Sequence, residues 1–99
     1  MNFDLTKCTI LKKKGVEVST MMKSTCLRYN GDFLGMIFER EEALIIKVSP
    51  QRVDELIAEG KGLPFDFTGK RFKEWVLIPA DYEAEYDAYL AEALAHARG

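Results

Sequence analysis

The sequence predicts an α+β fold, in which an antiparallel sheet is flanked by a short N-terminal helix, a middle helix and a longer C-terminal helix. Three observations support this prediction. Asn30-Gly31 lies between two apolar segments and supplies the two positive-φ residues of a type I′ hairpin turn. Ser49-Pro50 is typical of a helix start, with serine as the N-cap and proline in the first turn. Apolar side chains recur at helical spacing over residues 82–97.

The 99 residues of the chain fit one domain, 1–99, which can bury a core without metals or disulfides. With 30% charged and 47% hydrophobic residues, the composition excludes a disordered or low-complexity chain. No apolar run approaches the roughly 20 residues of a membrane span, and the N-terminus lacks the charge order of a secretory signal. We therefore expect a cytoplasmic protein with no membrane partner.

The first predicted element is a short helix that ends at Lys12-Lys13-Lys14-Gly15, because cations followed by glycine favour a helix C-terminus. An alternative interpretation makes the three lysines a phosphate-binding arm. Alternation of Val16 and Val18 with Glu17 then predicts an extended segment that leads into the sheet.

Residues 21–48 predict a meander of three consecutive antiparallel strands. Asn30-Gly31 forms its first turn, and the charged residues 39–42 form its second. The apolar run 43–48 is then the third strand. Later strands extend this sheet.

Both faces of the second meander strand are apolar. Alternation places three side chains on one face, Leu34, Met36 and Phe38, and leaves the other face to Phe33, Gly35 and Ile37. A sheet face turned to solvent should be polar, so either helices cover both faces or one face meets a partner. The predicted protein interface consists of Phe33, Ile37 and Ile45.

The second half of the chain predicts two helices and two strands. The middle helix has an apolar stripe on one side and ends at Gly60. Two strands follow at residues 65–67 and 72–78, joined by the turn Thr68-Gly69-Lys70. Asp81 is the predicted N-cap of the C-terminal helix.

No residue set predicts a catalytic or metal-binding site. Cys8 and Cys26 are far apart without CxxC spacing, so we expect free thiols rather than a zinc site or a disulfide. His96, the single histidine, has no nucleophile or second ligand beside it in sequence and is interpreted as a cation at a helix C-terminus. The glutamates at 41/42 and 83/85 lie in a turn and at a helix start rather than across a cleft. We expect no enzymatic activity, no cofactor and no metal.

Charge is distributed unevenly along a chain of net charge −2. Residues 1–38 carry six basic and three acidic groups, whereas residues 76–99 carry one and five. This predicts either a polarised surface or simply solvated faces. The densest basic cluster is Lys70, Arg71 and Lys73, with Phe67, Phe72 and Trp75 interleaved. The cluster could contact phosphates while a ring stacks on a base, or it could belong to a strand with solvated lysines.

Three segments are similar to one known family: MMKSTCLRYNGDFLGMIF, SPQRVDELIAEG and PFDFTGKRFKEWVLIP. They resemble the N-terminal domain of the TfoX (Sxy) competence regulators and the related MmcQ/YjbR-like proteins, over roughly residues 15–95. The most specific part of the resemblance is carried by Phe65, Gly69, Lys70, Lys73, Trp75 and Val76. Met21-Met22-Lys23-Ser24 departs from the pattern, since many domains of this family have Met-Phe-Gly-Gly there.

The resemblance implies a compact α+β fold with a helix-flanked antiparallel sheet, no cofactor and a role in binding. The chain shows no counterpart of the second, helical domain of full TfoX regulators, so competence regulation is not implied. The leading hypothesis is a non-enzymatic, stand-alone TfoX N-terminal-like binding module with a regulatory role, which engages a protein partner or associates with itself. The alternative is DNA binding through Lys70, Arg71 and Lys73.

Overall fold

The computed structural model describes residues 2–21, 23–67 and 69–99, and it confirms the predicted α+β class. Over these residues, six strands make one antiparallel sheet in the order β1-β2-β3-β4-β6-β5. The strands are β1 Val16–Met21, β2 Ser24–Tyr29, β3 Asp32–Phe38, β4 Ala43–Lys47, β5 Leu63–Phe67 and β6 Lys70–Pro79. Met22 in the family departure, Thr68 in the predicted turn and the side chain of Phe67 lie outside the described residues.

The predicted meander is confirmed as β2, β3 and β4. Asn30 and Gly31 have φ values of 49° and 91°, as a type I′ turn requires. The second turn is a 3-10 helix, Glu39–Glu41, which is followed by Glu42 in the left-handed conformation. The extended segment before the meander is itself a strand: β1 pairs with β2 and forms one edge of the sheet.

Two α-helices follow the meander, α1 Pro50–Ala58 and α2 Tyr86–Arg98. The predicted start of α1 is confirmed, because Ser49 Oγ accepts a 3.2 Å hydrogen bond from the backbone N–H of Arg52. The prediction that Asp81 caps the C-terminal helix is wrong. Residues Ala80–Glu85 form a 3-10 helix that contains non-helical backbone at Tyr82 (φ −109°, ψ 22°), so α2 begins only afterwards.

The N-terminal segment forms two 3-10 helices, Leu5–Lys7 and Thr9–Lys12, instead of one α-helix. Cys8 between them is extended, with φ −71° and ψ 157°. Asp4 Oδ1 accepts a 2.9 Å hydrogen bond from the backbone N–H of Thr6, and β-branched residues in this segment lower its helix propensity. The second 3-10 helix ends at the lysines, where the sequence predicted the helix to stop.

One face of the sheet is covered by helical segments, and the core between them is the helix-side core. There Tyr86 of α2 is fully buried and donates a 2.7 Å hydrogen bond to the carbonyl of Ile78. A Cβ on Gly35 would lie 2.8 Å from the carbonyl oxygen of Ile45 and 3.0 Å from Leu90 Cδ2, so α2 packs closely on β3. Among the described residues, no helical side chain joins the core on the other face of the sheet.

A β-bulge in β3 overturns the predicted faces of this strand. Leu27 of β2 pairs with Gly35 and Arg28 pairs with Phe33, so Leu34 is an extra residue in β3. One inserted residue moves every later side chain to the opposite face. As a result Leu34 and Ile37 pack into the helix-side core, while the other face of β3 is formed by Phe33, Met36 and Phe38.

Candidate binding surface on the helix-free face of the sheet

The sheet face opposite the helices, here called the helix-free face, is apolar. Every buried member of its core comes from a strand: Cys26, Phe33, Met36, Ala43, Ile45, Phe65 and Leu77. Met21, Phe38, Phe72 and Trp75 pack around this core and keep part of their surface exposed. A solvated face of an antiparallel sheet usually carries polar side chains, so this face has the composition of a contact surface.

Aromatic side chains pack over the strands on this face, as helical side chains do on the other face. The Trp75 indole stacks on the Phe33 ring, with 4.3 Å between centroids and 22° between planes. Because Trp75 of β6 pairs with Lys47 of β4, its ring reaches across β4 to β3. Phe72 lies 4.8 Å from the same indole and Phe65 lies 5.5 Å from it. We call Phe33, Phe38, Phe65, Phe72 and Trp75 the ring cluster.

The ring cluster has a buried lower layer and a half-exposed upper layer. Phe33 and Phe65 keep only 7% and 3% of their surface exposed. Phe38, Phe72 and Trp75 are half-buried, and these rings form the accessible part of the cluster. The upper layer is therefore the part of the cluster that a partner would contact.

A groove of about 250 Å³ continues the surface beside the ring cluster. Its apolar wall includes Phe38 and Leu63, and the 53% exposure of Leu63 makes it one of the most exposed large apolar side chains described. Leu63 pairs with Leu77 across β5 and β6, which places it on the helix-free face. Glu41 and Asp66 supply carboxylates to the same groove.

Opposite charges flank the ring cluster along the strand direction. Near the Phe33 end of β3 lie Lys47 and Arg28, since both pair with ring-cluster residues across the sheet. The Lys70 ammonium lies 5.6 Å from the centroid of the Phe72 ring. At the Phe38 end of β3, residues 39–42 are all exposed, and their three glutamates outnumber the single cation Arg40. The surface is thus basic at one end and acidic at the other.

The three residues of the predicted protein interface occupy two different faces. Phe33 and Ile45 belong to the core of the helix-free face, where Ile45 is fully buried and Phe33 lies beneath the indole. Ile37 is half-buried against the helix-side core, because the bulge at Leu34 turns it away. Alternation in the sequence correctly identified an apolar strand. On the helix-free face, however, it selected the buried residues Phe33 and Ile45 and not the half-exposed rings of the upper layer.

The predicted nucleic-acid cluster is divided between the two sides of β6. Arg71 and Lys73 line a cavity of about 330 Å³ with Pro50, Val53 and Asp54 of α1. Lys70 instead lies over the Phe72 ring on the helix-free face. Adjacency in sequence brings these cations close together, but alternation along the strand points them to different neighbours.

The groups with chemical reactivity are dispersed. Burial raises the pKa of the Cys8 and Cys26 thiols, which keeps them protonated, and the two belong to cores on opposite faces of the sheet. His96 Nε2 lies 3.5 Å from Glu74 Oε1. Among the described side chains, no group of three or more histidine, cysteine, aspartate or glutamate residues is placed to hold a metal ion.

Sequence reasoning missed Phe38, Leu63 and Glu41 as parts of the surface. Phe38 lies on the helix-free face only because of the bulge at Leu34, and Leu63 precedes the predicted strand 65–67. The available signal was the recurrence of aromatic residues in the meander and in the last two strands.

No helix in the described part of the chain is long and apolar enough to cross a membrane. Comparison of the chain with protein-family models, curated proteins and solved structures finds no match in any of the three.

Proposed function

We propose that this domain is a non-enzymatic binding module that associates with a second copy of itself through the helix-free face. The observation that carries the proposal is the half-exposed upper layer of the ring cluster on a sheet face that no described helix covers. Tryptophan and phenylalanine are enriched in protein interfaces, whereas charged side chains are depleted at the interface core and the rim is polar. The ring cluster and its charged ends have this arrangement.

Charge complementarity favours a second copy as the occupant. A two-fold axis in the plane of the face and perpendicular to the strands reverses the strand direction of the partner. The basic end of one copy, near Lys47 and Lys70, then lies over the acidic end of the other, near Glu41. Such an isologous contact closes on itself, so a dimer is the expected assembly.

Sedimentation velocity over a range of protein concentrations tests the proposal. We expect a reversible monomer–dimer equilibrium, and Leu63→Asp should weaken it by about tenfold or more, since a charge would enter an apolar contact. Val18→Asp is the matched control: Val18 is 46% exposed, but its pairing with Leu27 of the helix-side core places it on the other face.

A monomer at every concentration would overturn self-association and leave a different protein as the occupant of the face. Equal weakening by both aspartate variants would also contradict the proposal, since it would place the contact elsewhere.

The resemblance to the TfoX N-terminal domain supports a binding role, and membership of that family is part of the proposal. We also propose a cytoplasmic location, in keeping with two free, buried cysteines. Regulation through a partner and DNA binding through Lys70, Arg71 and Lys73 stay predictions. Anisotropy of labelled duplex DNA at several salt concentrations tests the latter.

A further inference from the structure

A second surface lies away from the helix-free face, where three cations from two distant parts of the chain surround one cavity. The cavity has a volume of about 380 Å³. It lies between the loop before β1, the turn from β2 to β3 and the end of α2. We call it the basic cleft, and its lining is Lys13, Lys14, Gly15, Tyr29, Asn30 and Arg98.

The cations of the basic cleft have no anionic partner in the described part of the chain. Among the described residues, no carboxylate lines the cavity, and neither a hydrogen bond nor an ion pair engages the charged groups of Lys13, Lys14 or Arg98. Arg52 is different, because its guanidinium contacts three glutamates. The basic cleft therefore holds cationic charge that no contact between described residues neutralises.

Backbone contacts hold the lysine loop in place beside the cleft. The N–H of Asn30 donates a 3.0 Å hydrogen bond to the carbonyl of Gly15, and the N–H of Val16 donates one of 3.3 Å to Lys13. Gly15 has φ +91°, and a Cβ there would lie 2.8 Å from Tyr29 Cε1. A side chain at this position would be strained and would meet the Tyr29 ring, so glycine lets the loop lie close against the hairpin.

A favourable interaction with the helix dipole explains the position of only one of the three cations. Arg98 lies in the last turn of α2, where a cation is favourable without any ligand. Lys13 and Lys14 come from the opposite end of the chain and reach the cavity through the loop contact with Asn30. Their convergence with Arg98 is a product of the tertiary structure.

We propose that the basic cleft binds the phosphoryl group of a phosphate ester of about nucleotide size. Lysine and arginine supply charge-assisted hydrogen bonds to phosphate oxygens, and the fork of Arg98 suits a two-point contact. The Tyr29 ring and the Asn30 amide line the same cavity and can contact the remainder of the ligand. A free nucleotide and the backbone of a nucleic acid share this chemistry.

The test is a two-dimensional NMR titration of the ¹⁵N-labelled protein at low salt with three probes: inorganic phosphate, adenosine monophosphate and a short single-stranded oligonucleotide. We expect saturable shifts at Lys14, Gly15 and Asn30 that weaken as salt is added, with a log–log slope of about −0.7 per phosphate contact for the single strand. Saturation by adenosine monophosphate assigns a free nucleotide as the ligand. Saturation by the oligonucleotide alone assigns a nucleic-acid backbone.

Two double variants that each remove two positive charges distinguish binding at the basic cleft from general electrostatic attraction. Lys14→Gln/Arg98→Gln should weaken binding by about tenfold or more, because two charge-assisted contacts are lost. Lys7→Gln/Lys23→Gln should bind as the wild type does, since both residues are exposed and neither lines the basic cleft. Equal weakening by both variants, or the absence of shifts at the cleft with all three probes, would overturn the proposal. Leu63→Asp should bind the probes normally, so this result is independent of dimer formation.

Discussion

At the scale of single residues, Trp75 and Phe33 form a stacked pair on the sheet face that no described helix covers. The indole lies nearly parallel to the Phe33 ring at 4.3 Å and takes that ring to 7% exposure. Such ring pairs stabilise a fold by about 0.5–1.5 kcal/mol beyond the area they bury. The Trp75 side chain therefore covers part of β3 on the helix-free face.

Tyr86 makes the stability of the fold depend on pH at the alkaline end. Burial raises the pKa of Tyr86 to about 12, whereas an unfolded tyrosine ionises near pH 10. The folded chain therefore keeps a proton that the unfolded chain loses. The contribution is complete below about pH 10 and is lost as the pH rises towards 12, by about 2–3 kcal/mol.

Urea unfolding of the wild type and of Tyr86→Phe between about pH 9 and pH 11.5 tests this prediction. The variant should be less stable at the lower pH, because the hydrogen bond to the carbonyl of Ile78 is lost. Its stability should fall less steeply with pH. Burial also raises the pKa of Tyr89, so some dependence remains. Parallel curves for the two proteins would show that Tyr86 does not carry the effect.

At the scale of elements, the bulge in β3 decides what each side of the strand does. Leu34 enters the helix-side core, and the residues after it exchange faces relative to a regular strand. Without the extra residue, Phe33 and Met36 could not share the helix-free face. The bulge therefore lets one short strand fill the helix-side core and support the ring cluster.

Arg52 joins α1 to α2 through Glu92. Its Nε lies 2.8 Å from Glu92 Oε1 and its Nη2 lies 3.2 Å from Oε2, a two-point contact that raises the pKa of the guanidinium. Arg52→Lys loses this geometry. We expect a loss of about 0.5–1 kcal/mol in the free energy of unfolding, since the Arg52 side chain is 30% exposed.

Thermal and urea unfolding measure the effect of Arg52→Lys. Arg98→Lys is the matched control, because no ion pair engages Arg98 among the described residues. If both variants unfold at the same midpoint as the wild type, the contact between the helices contributes nothing to stability.

At the scale of the whole molecule, the antiparallel topology sorts charge towards the two ends of the sheet. The end with the turn from β2 to β3 also holds the loop before β1, the end of β4 and the start of β6. Its cations are Lys13, Lys14, Lys47, Lys70 and Arg98. The opposite end holds Glu39, Glu41, Glu42 and Asp81 beside the two cations Lys23 and Arg40, and Asp32 is an acidic residue at the first end. Cations are thus in excess at one end and carboxylates at the other. The polarised-surface interpretation of the sequence is therefore favoured.

Charge reversal tests whether the two ends meet in a dimer. Lys70→Glu should weaken the dimer, because the acidic end of the second copy would face another carboxylate. The double variant Lys70→Glu/Glu41→Lys should recover part of the loss, since both charges change sign together. Sedimentation velocity at low and high salt measures both, and the differences should shrink at high salt. A double variant no better than the single one would contradict the proposed orientation.

The local elements were predictable because their signals lie within a few residues. Asn30-Gly31 forms its turn from backbone preferences alone, and Ser49-Pro50 starts α1 with its own hydroxyl. The C-terminal helix was predicted in type but not in its start, since the non-helical backbone at Tyr82 has no clear sequence signal. The candidate surface was predictable only as an apolar second strand.

The sequence by itself determined the α+β class, the meander, the middle helix and the apolar character of both faces of β3. Only the tertiary structure decided which side chains share a face, because the bulge at Leu34 arises from pairing with β2. It also separated Lys70 from Arg71 and Lys73, and it brought Arg98 to Lys13 and Lys14. Turns and helix caps depend on neighbours in sequence, whereas surfaces and clefts depend on neighbours in space.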